Sequence, residues 1–265
     1  MNRDLLNKDK IYENIFPKDL EVLVYESCDS TNSLCRKLID EKSACLPFLV
    51  VSDFQTQGRG RCGKSFYSPK SSGIYMSIAT RYDNNTDNYT ICAANAVCKA
   101  INVVCDIKAQ IKWVNDIFVD GKKVCGILCE TVLSNEHEKY VICGIGINYY
   151  TDYFPEEIKI IAGSLYKSQP EISRAALISE IVNGYFNNLC KPNDEIIEYY
   201  KNNSMVIGKQ IEFNKNGVAY RGKATDIMTN GNLVVRTKQG DVVLSSGEIS
   251  LGSRNFVKKL PHSFK

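Results

Sequence analysis

The sequence predicts an α/β (α+β) fold: a large domain of helices and strands over residues 1–204, then a small β-barrel over residues 205–256. Three observations predict it. Short strand-like runs are interspersed with stretches of helical apolar periodicity as far as about residue 201. Around Asp120-Gly121 three strand-like runs follow one another closely enough to form an antiparallel meander. After Met205 the texture changes to short alternating runs parted by glycine-bearing turns, the even spacing of a barrel of about five strands.

The elements follow in order. Residues 21–27 (EVLVYES) read as a strand, and residues 31–41 put Leu34, Cys35, Leu38 and Ile39 on one helical face behind the capping candidates Asp29 and Ser30. Residues 48–52 are a short apolar strand. Residues 73–80 (GIYMSIAT) alternate Ile74, Met76 and Ile78 against Tyr75, Ser77 and Ala79. Residues 88–105 carry Ile91, Ala94, Val97, Cys98, Ile101, Val104 and Cys105 at helical spacing, so one stripe should pack against a sheet. Residues 110–119 and 123–132 pair as strands across the Asp120-Gly121 turn, and residues 139–149 complete the meander. An amphipathic helix over 173–189 turns Leu177, Ile178, Ile181, Val182, Tyr185 and Phe186 inward, and a shorter helix runs to about residue 201. The barrel strands KQIEF, VAYRGKATDIM, LVVRT, DVVLSS and EISL are divided by Asn216-Gly217, Asn230-Gly231 and Gln239-Gly240.

Composition excludes several classes of function. Lysine and arginine number 33 against 30 acidic residues, and a net charge of +3 is far from the basic excess of a nucleic-acid binder. No apolar run reaches the roughly 18 residues of a membrane span, and charges break up the first stretch, where a secretory leader would be apolar. A cytoplasmic protein with no membrane partner and no DNA partner is expected. The 11 cysteines are scattered through apolar segments and read as small core residues in a reducing compartment. There is no CxxC pair, and the two histidines are His137 and His262, so no zinc site is expected. Cys62, between Arg61 and Gly63, reads as a solvent-exposed thiol.

The chemistry concentrates in residues 55–66, QTQGRGRCGKSF, where three glycines and three cations fall within seven residues. Glycines let backbone N–H groups turn towards an anion, while Arg59, Arg61 and Lys64 supply charge; polyphosphate is the natural ligand. Residues 58–65 (GRGRCGKS) formally satisfy the P-loop pattern. A P-loop must feed directly into a helix, and SFYSPKSSG, with Pro69 and no apolar stripe, gives none. Residues 144–148 (GIGIN) lack the third glycine and following helix of a dinucleotide fingerprint.

Taken in order, Ser30-Thr31-Asn32, QTQGRGRCGKSF, KWVNDIFVDGKKVCGIL (112–128) and GIGIN resemble the successive motifs of biotin protein ligases, and residues 208–251 resemble the family's C-terminal SH3-like barrel. The resemblance implies a mixed-sheet biotin/lipoate ligase catalytic domain. It implies a biotin–[acetyl-CoA-carboxylase] ligase that uses ATP with Mg²⁺ to make biotinyl-5'-AMP, releases pyrophosphate, and biotinylates a lysine of a biotin carboxyl carrier domain. By the same resemblance Ser30, Thr31, Asn32, Gln55, Gly58, Arg59, Gly60, Lys123 and Gly126 bind biotin, Asn32 by supporting the turn. Arg61, Lys64, Phe66, Asn115, Asp116 and Asn148 contact ATP or the adenylate, with Asp116 a candidate Mg²⁺ ligand. Lys123 and Arg61 are the expected catalytic residues, Lys123 bridging the biotin carboxylate and the α-phosphate, where a cation offsets the repulsion of two anions. No covalent nucleophile is needed, because the substrates react with each other.

Other readings stand beside these. On local sequence Ser30 and Thr31 could be a plain helix cap, and the Lys122-Lys123 pair could be merely solubilising. Val114 stands where the family usually has proline and Phe66 where it usually has tryptophan, which loosens the turn before Asn115 and gives adenine a smaller surface. Fewer residues precede the first strand than a helix-turn-helix domain needs, so no direct DNA-binding repressor role is expected. A lipoate ligase shares the architecture but has no use for a ureido-binding end. A non-catalytic biotin sensor and a P-loop NTPase are the remaining rivals, and a homodimer is left open.

Overall fold

The computed structural model describes residues 6–84, 88–215 and 217–251. Asn216 of a predicted turn, His262 and the last residues assigned to the barrel, 252–256, lie outside the described residues. The main sheet has seven strands: β1 (Glu21–Tyr25), β2 (Phe48–Ser52), β3 (Gly73–Arg81), β4 (Gln110–Lys112), β5 (Asp116–Val119), β6 (Lys122–Leu133) and β7 (Lys139–Asn148). They lie in the order β1-β2-β3-β7-β6-β5-β4. β1 is parallel to β2 and the other neighbours are antiparallel, so the sheet is mixed.

Because strand side chains alternate, each strand divides its residues between two faces. Leu49, Val51, Ile74, Met76, Ile78, Cys143, Ile145 and Ile147 join the large core, which they share with α3 (Tyr89–Val104) and α4 (Arg174–Leu189). Phe48, Val50, Ala79, Tyr140 and Ile142 meet Cys35, Leu38 and Ile39 of α2 (Thr31–Asp40) on the other face. α2 covers only one end of that face, and what it leaves uncovered on β5, β6 and β7 becomes the floor of a cavity.

Two predicted elements differ. Residues 110–119 are not one strand: the chain turns back at 113–115, so Lys112 pairs with Asp116 and β4 and β5 form a hairpin. The Trp113–Val114 peptide in that turn is cis. Alternation is the same before and after so tight a turn, which is why pattern alone read the two as one. The central helix α3 is buried almost all round, not along one stripe, because the sheet lies on one side and α4 on the other. Small residues permit this: a Cβ on Gly184 would stand 3.3 Å from that of Ala96. A short helix, α1 (Lys8–Glu13), was not foreseen, and it rests on α4.

The Asp120-Gly121 hairpin forms as predicted, with φ of 48° and 74°, the positive values a two-residue turn requires. α5 (Asn193–Asn202) leads to β8 (Gln210–Lys215), β9 (Val218–Ile227), β10 (Leu233–Thr237), β11 (Gly240–Leu244) and β12 (Ile249–Leu251). These form an antiparallel sheet in the order β11-β10-β9-β8-β12. Ile211, Phe213, Ala224, Ile227, Leu233, Val235, Leu244 and Ile249 are its buried side chains. It is tied to the main domain by the Trp113 indole, which donates to Gly231 O at 2.9 Å, and by Lys201–Asp226 at 2.6 Å.

Candidate active site

The floor is the β6–β7 ladder, where Leu128 faces Gly144 and Gly126 faces Gly146. A Cβ on Gly144 would stand 2.1 Å from Asn32 Oδ1, and one on Gly146 would stand 2.5 Å from the Phe66 ring. The glycines of GIGIN thus make room for Asn32 and Phe66 and do not form a phosphate turn. Above them opens a cavity of about 440 Å³, a volume suited to a small organic ligand. Its composition changes from one end to the other.

One end is uncharged and hydrogen-bonding. Ser30 occupies the N-cap position of α2, but its side chain makes no capping hydrogen bond. The Thr31 N–H donates to Gln55 Oε1 at 2.9 Å and Gln55 Nε2 donates to Ser68 Oγ at 2.8 Å. The fully buried Ser77 hydroxyl lies 2.7 Å from both Thr31 Oγ1 and Asn32 Oδ1. Asn32 Nδ2 donates to Leu128 O at 3.1 Å and to Glu130 Oε2 at 2.8 Å. With both amide ends engaged, Asn32 braces α2 against β6, while the Ser30 hydroxyl faces the cavity without that duty.

The 55–66 loop forms the lid of this end. Gly58 passes so close to the loop's return that a Cβ would stand 2.4 Å from Phe66 O. The loop closes on itself through Gly60 N–H to Lys64 O at 2.7 Å and Phe66 N–H to Gly58 O at 2.8 Å. A single 3-10 turn, Arg61–Gly63, lies inside it, and no helix follows Ser65 before β3; the P-loop requirement is not met. Its three cations go to three elements. Arg59 pairs with Glu130 at 2.9 Å, Arg61 donates to Asn115 Oδ1 at 3.1 Å, and Lys64 pairs with Glu248 of the barrel. Cys62 is exposed, as predicted.

The other end is cationic. Lys123 reaches it because of a β-bulge: Ile117 pairs with Cys125 but Phe118 pairs with Lys123, leaving Val124 unopposed. One extra residue reverses the alternation, so Val124 and Cys125 both enter the core while Lys123 turns to the floor. Its Nζ lies 2.7 Å from Asp116 Oδ1, an ion pair without hydrogen-bond alignment. Lys112, opposite Asp116, lines the same end. Burial holds its ammonium below the ordinary lysine range, with Lys123 adding repulsion and Asp116 opposing. Asn115 Nδ2 donates to Ile127 O at 2.7 Å and Asn148 Nδ2 to Gly163 O at 2.9 Å, fixing both amides at the rim.

Every predicted site residue except Gly58 lines this one cavity, Gly58 being the close contact within its lid. Lys122 is not merely solubilising: its ammonium holds the 156–161 turn, donating to Ile160 O at 2.6 Å. Val114 does not leave its turn loose, because the Tyr200 hydroxyl donates to Val114 O at 2.9 Å. Sequence reasoning missed Ser77, Lys112, Glu130, Glu248 and the segment 154–162, whose Phe154, Ile158 and Ile161 wall the cavity. Alternation along β6 held a signal for Glu130, since it shares a face with Gly126 and Leu128. No comparable signal existed for Glu248 or for the 154–162 segment.

Comparison with known proteins agrees with this geometry. Residues 24–148 match the Biotin/lipoate A/B protein ligase family and residues 206–252 the Biotin protein ligase C terminal domain. The chain is 34% identical over 243 residues to the Bifunctional ligase/repressor BirA of Bacillus spizizenii, covering 87% of this chain and 74% of that protein. It is 26% identical to the biotin–[acetyl-CoA-carboxylase] ligase of Mycobacterium tuberculosis, covering 76% and 77%. A biotin protein ligase from Aquifex aeolicus, solved in complex with biotin and ATP, superposes with a TM-score of 0.72 at 26% identity, covering 87% of this chain and 97% of that one. A ligand cavity floored by a mixed sheet and lidded by the GRGRCG loop, with relatives of these names across most of its length, shows that the chain belongs to the biotin protein ligase family, the enzymes of biotin ligation.

Proposed function

We propose that the cavity binds biotin with its ureido ring at the neutral end and its carboxylate at Lys123, and binds ATP with its phosphates at the cationic end. The observation that carries this is the polarity of the cavity: Ser30, Thr31 and Gln55 at one end, Arg61, Lys112 and Lys123 at the other. A ureido ring needs neutral donors and acceptors, whereas a carboxylate meeting a phosphate needs positive charge between them. The apolar floor around Phe66 and Leu128 suits the bicycle that joins the two.

A carboxylate oxygen of biotin attacks the α-phosphorus, a new O–P bond forms, and the bond to pyrophosphate breaks. Lys123 offsets the repulsion between the two anions as they approach, and Arg61 receives the charge that moves onto pyrophosphate. The ε-amine of a carrier-domain lysine then attacks the acyl carbon of biotinyl-5'-AMP, AMP leaves, and the amine proton passes to solvent. Among the described residues no group of three or more His, Cys, Asp or Glu can hold a metal alone. Asp116, with a buried oxygen that lacks an aligned donor, fits a Mg²⁺ that arrives on the phosphates, whose chemistry is to neutralise them.

The test is biotin-dependent release of pyrophosphate from Mg-ATP by the purified chain, with lipoate as control and Lys123→Ala beside it. Release with biotin alone, reduced on the order of a hundredfold or more in the variant, is the expected result. Binding of biotin without release points to a sensor instead, and release with lipoate points to the related acyl ligase. Under this reading the carrier domain is the protein partner, DNA is not, and the chain divides at 204/205.

A further inference from the structure

We propose that Glu130 is a positioning residue for biotin, a carboxylate that latches the 55–66 loop over the neutral end of the cavity by holding Arg59. The inference rests on the biotin-ligase reading above. It comes from the different ways in which the loop's cations are partnered. Both terminal nitrogens of the Arg59 guanidinium meet Glu130, Nη2 to Oε1 at 2.9 Å and Nη1 to Oε2 at 3.3 Å. That is a two-point, charge-assisted pairing, the strongest kind this geometry allows. Among the described residues Arg61 hydrogen-bonds only the neutral amide oxygen of Asn115, with no carboxylate ion-paired to it, and so keeps most of its charge for an anion. The carboxylate has therefore already neutralised Arg59, whose task is to hold the loop in place.

The same carboxylate also fixes the opposite wall. Its Oε2 accepts from Asn32 Nδ2 at 2.8 Å, and Asn32 belongs to the first turn of α2, beside Ser30 and Thr31. One side chain on the rigid β6 strand thus sets the spacing between the lid and the helix that together line the neutral end. The Glu130 side chain is 28% exposed and that of Arg59 is 49% exposed. A pair that open to water can break and re-form, as a lid must. When the latch is lost, the part of the loop around Gly58, Arg59 and Gly60 loses its tie to the sheet and flexes, while Arg61 and Lys64 keep their partners Asn115 and Glu248, so biotin enters and leaves more freely. Arg61 and Lys123 stay in place, so the chemical step at saturating biotin changes little.

The experiment measures biotin-dependent pyrophosphate release and limited trypsin cleavage after Arg59, Arg61 and Lys64 in the full chain. It compares the wild type, Glu130→Gln, Arg59→Gln and the double variant. Glutamine keeps an oxygen for Asn32 and removes the charge. Glu130→Gln is expected to raise the biotin KM about tenfold with kcat within about twofold, and to speed cleavage within the loop. The double variant is expected to raise KM no more than the larger single effect, since the two residues act through each other. An unchanged KM with unchanged cleavage overturns the proposal, as do additive effects in the double variant or a loss confined to kcat. A wild type that releases no pyrophosphate with biotin sinks the ligase reading, and the biotin role of the latch with it. Variants that fail beside an active wild type sink the latch alone.

Discussion

Lys112 and Lys123 set two ammonium groups on one face of the sheet, on the strands flanking β5, with Asp116 as the carboxylate both can share. Such an arrangement costs the free protein stability and suits a polyanion. Because the Lys112 pKa is lowered on folding, the folded state holds its proton less tightly than the unfolded one. The penalty is therefore present at neutral pH and relieved as pH rises through the lowered value towards about 10.4. Lys112→Met, which gives up the ammonium's place over the Phe118 ring but replaces a buried charge with an uncharged stem of similar length, should raise Tm by about 1–2 °C in a chain this size. It should also raise the KM for ATP several-fold. Calorimetry and steady-state kinetics check the two halves, and a variant that loses stability without losing ATP affinity would make Lys112 structural. The cysteines show how far composition reaches: Cys35, Cys92, Cys98, Cys105, Cys125 and Cys143 are core residues as read, while Cys45, Cys62 and Cys190 are exposed. Burial pushes the Cys92 thiol up to about 12 and the Cys98 thiol up to about 11, which keeps both unreactive at neutral pH.

At the scale of elements the decisive feature is the β6 bulge. In a regular strand Lys123 would alternate with Gly126 onto opposite faces, and the conspicuous Lys122-Lys123 pair would put Lys122 into the cavity. Val124 is the residue left unopposed. Moving the lysine one place, in a Lys123→Val, Val124→Lys double variant, puts it where a regular strand would turn it to the cavity; because the bulge turns position 124 into the core instead, adenylation should fall on the order of a hundredfold, as on loss of Lys123 itself. A far-ultraviolet spectrum near that of the wild type must accompany the loss, because a misfolded variant tests nothing; a well-folded double variant with full activity would show that the bulge does not set the lysine. The β4–β5 hairpin acts similarly at the rim. Turning the chain back at 113–115 brings Asn115 between Arg61 and Ile127, where a single straight strand would have carried it past the site.

For the whole molecule, the barrel matters because it closes the far side of the cavity. Gly247, Glu248, Ile249 and Ser250 line the cavity, and Lys64 of the lid pairs with Glu248, whose carboxyl it holds below the usual range. Docking also depends on Lys201–Asp226, where the ammonium lowers the aspartate pKa. A lowered carboxylate stabilises above its unfolded value, near pH 3.9, and this contribution is lost as pH falls through the folded value. Trp113, the sole tryptophan, is buried against Gly231 at this junction. Its emission should shift to the red on acidification, at higher pH in Asp226→Asn than in the wild type. Coincident transitions in the two proteins would show that this ion pair does not hold the barrel.

The sequence by itself determined the order and kind of nearly every element, the change to short strands after Met205, and the polar residues that gather around the cavity. These are local properties: period, turn chemistry and residue type are written within a few neighbouring positions. Only the tertiary structure decided which way those residues point and what they meet. The phase of Lys123 depends on one unopposed residue in a strand pair. The burial of α3 on both sides depends on where α4 packs. Glu130 joins Arg59, 71 positions away, and Asn32, 98 away, and Glu248 meets Lys64 across 184. Contacts between residues so far apart leave no mark on the pattern around either one, so they become visible only when the sheet has brought the two together.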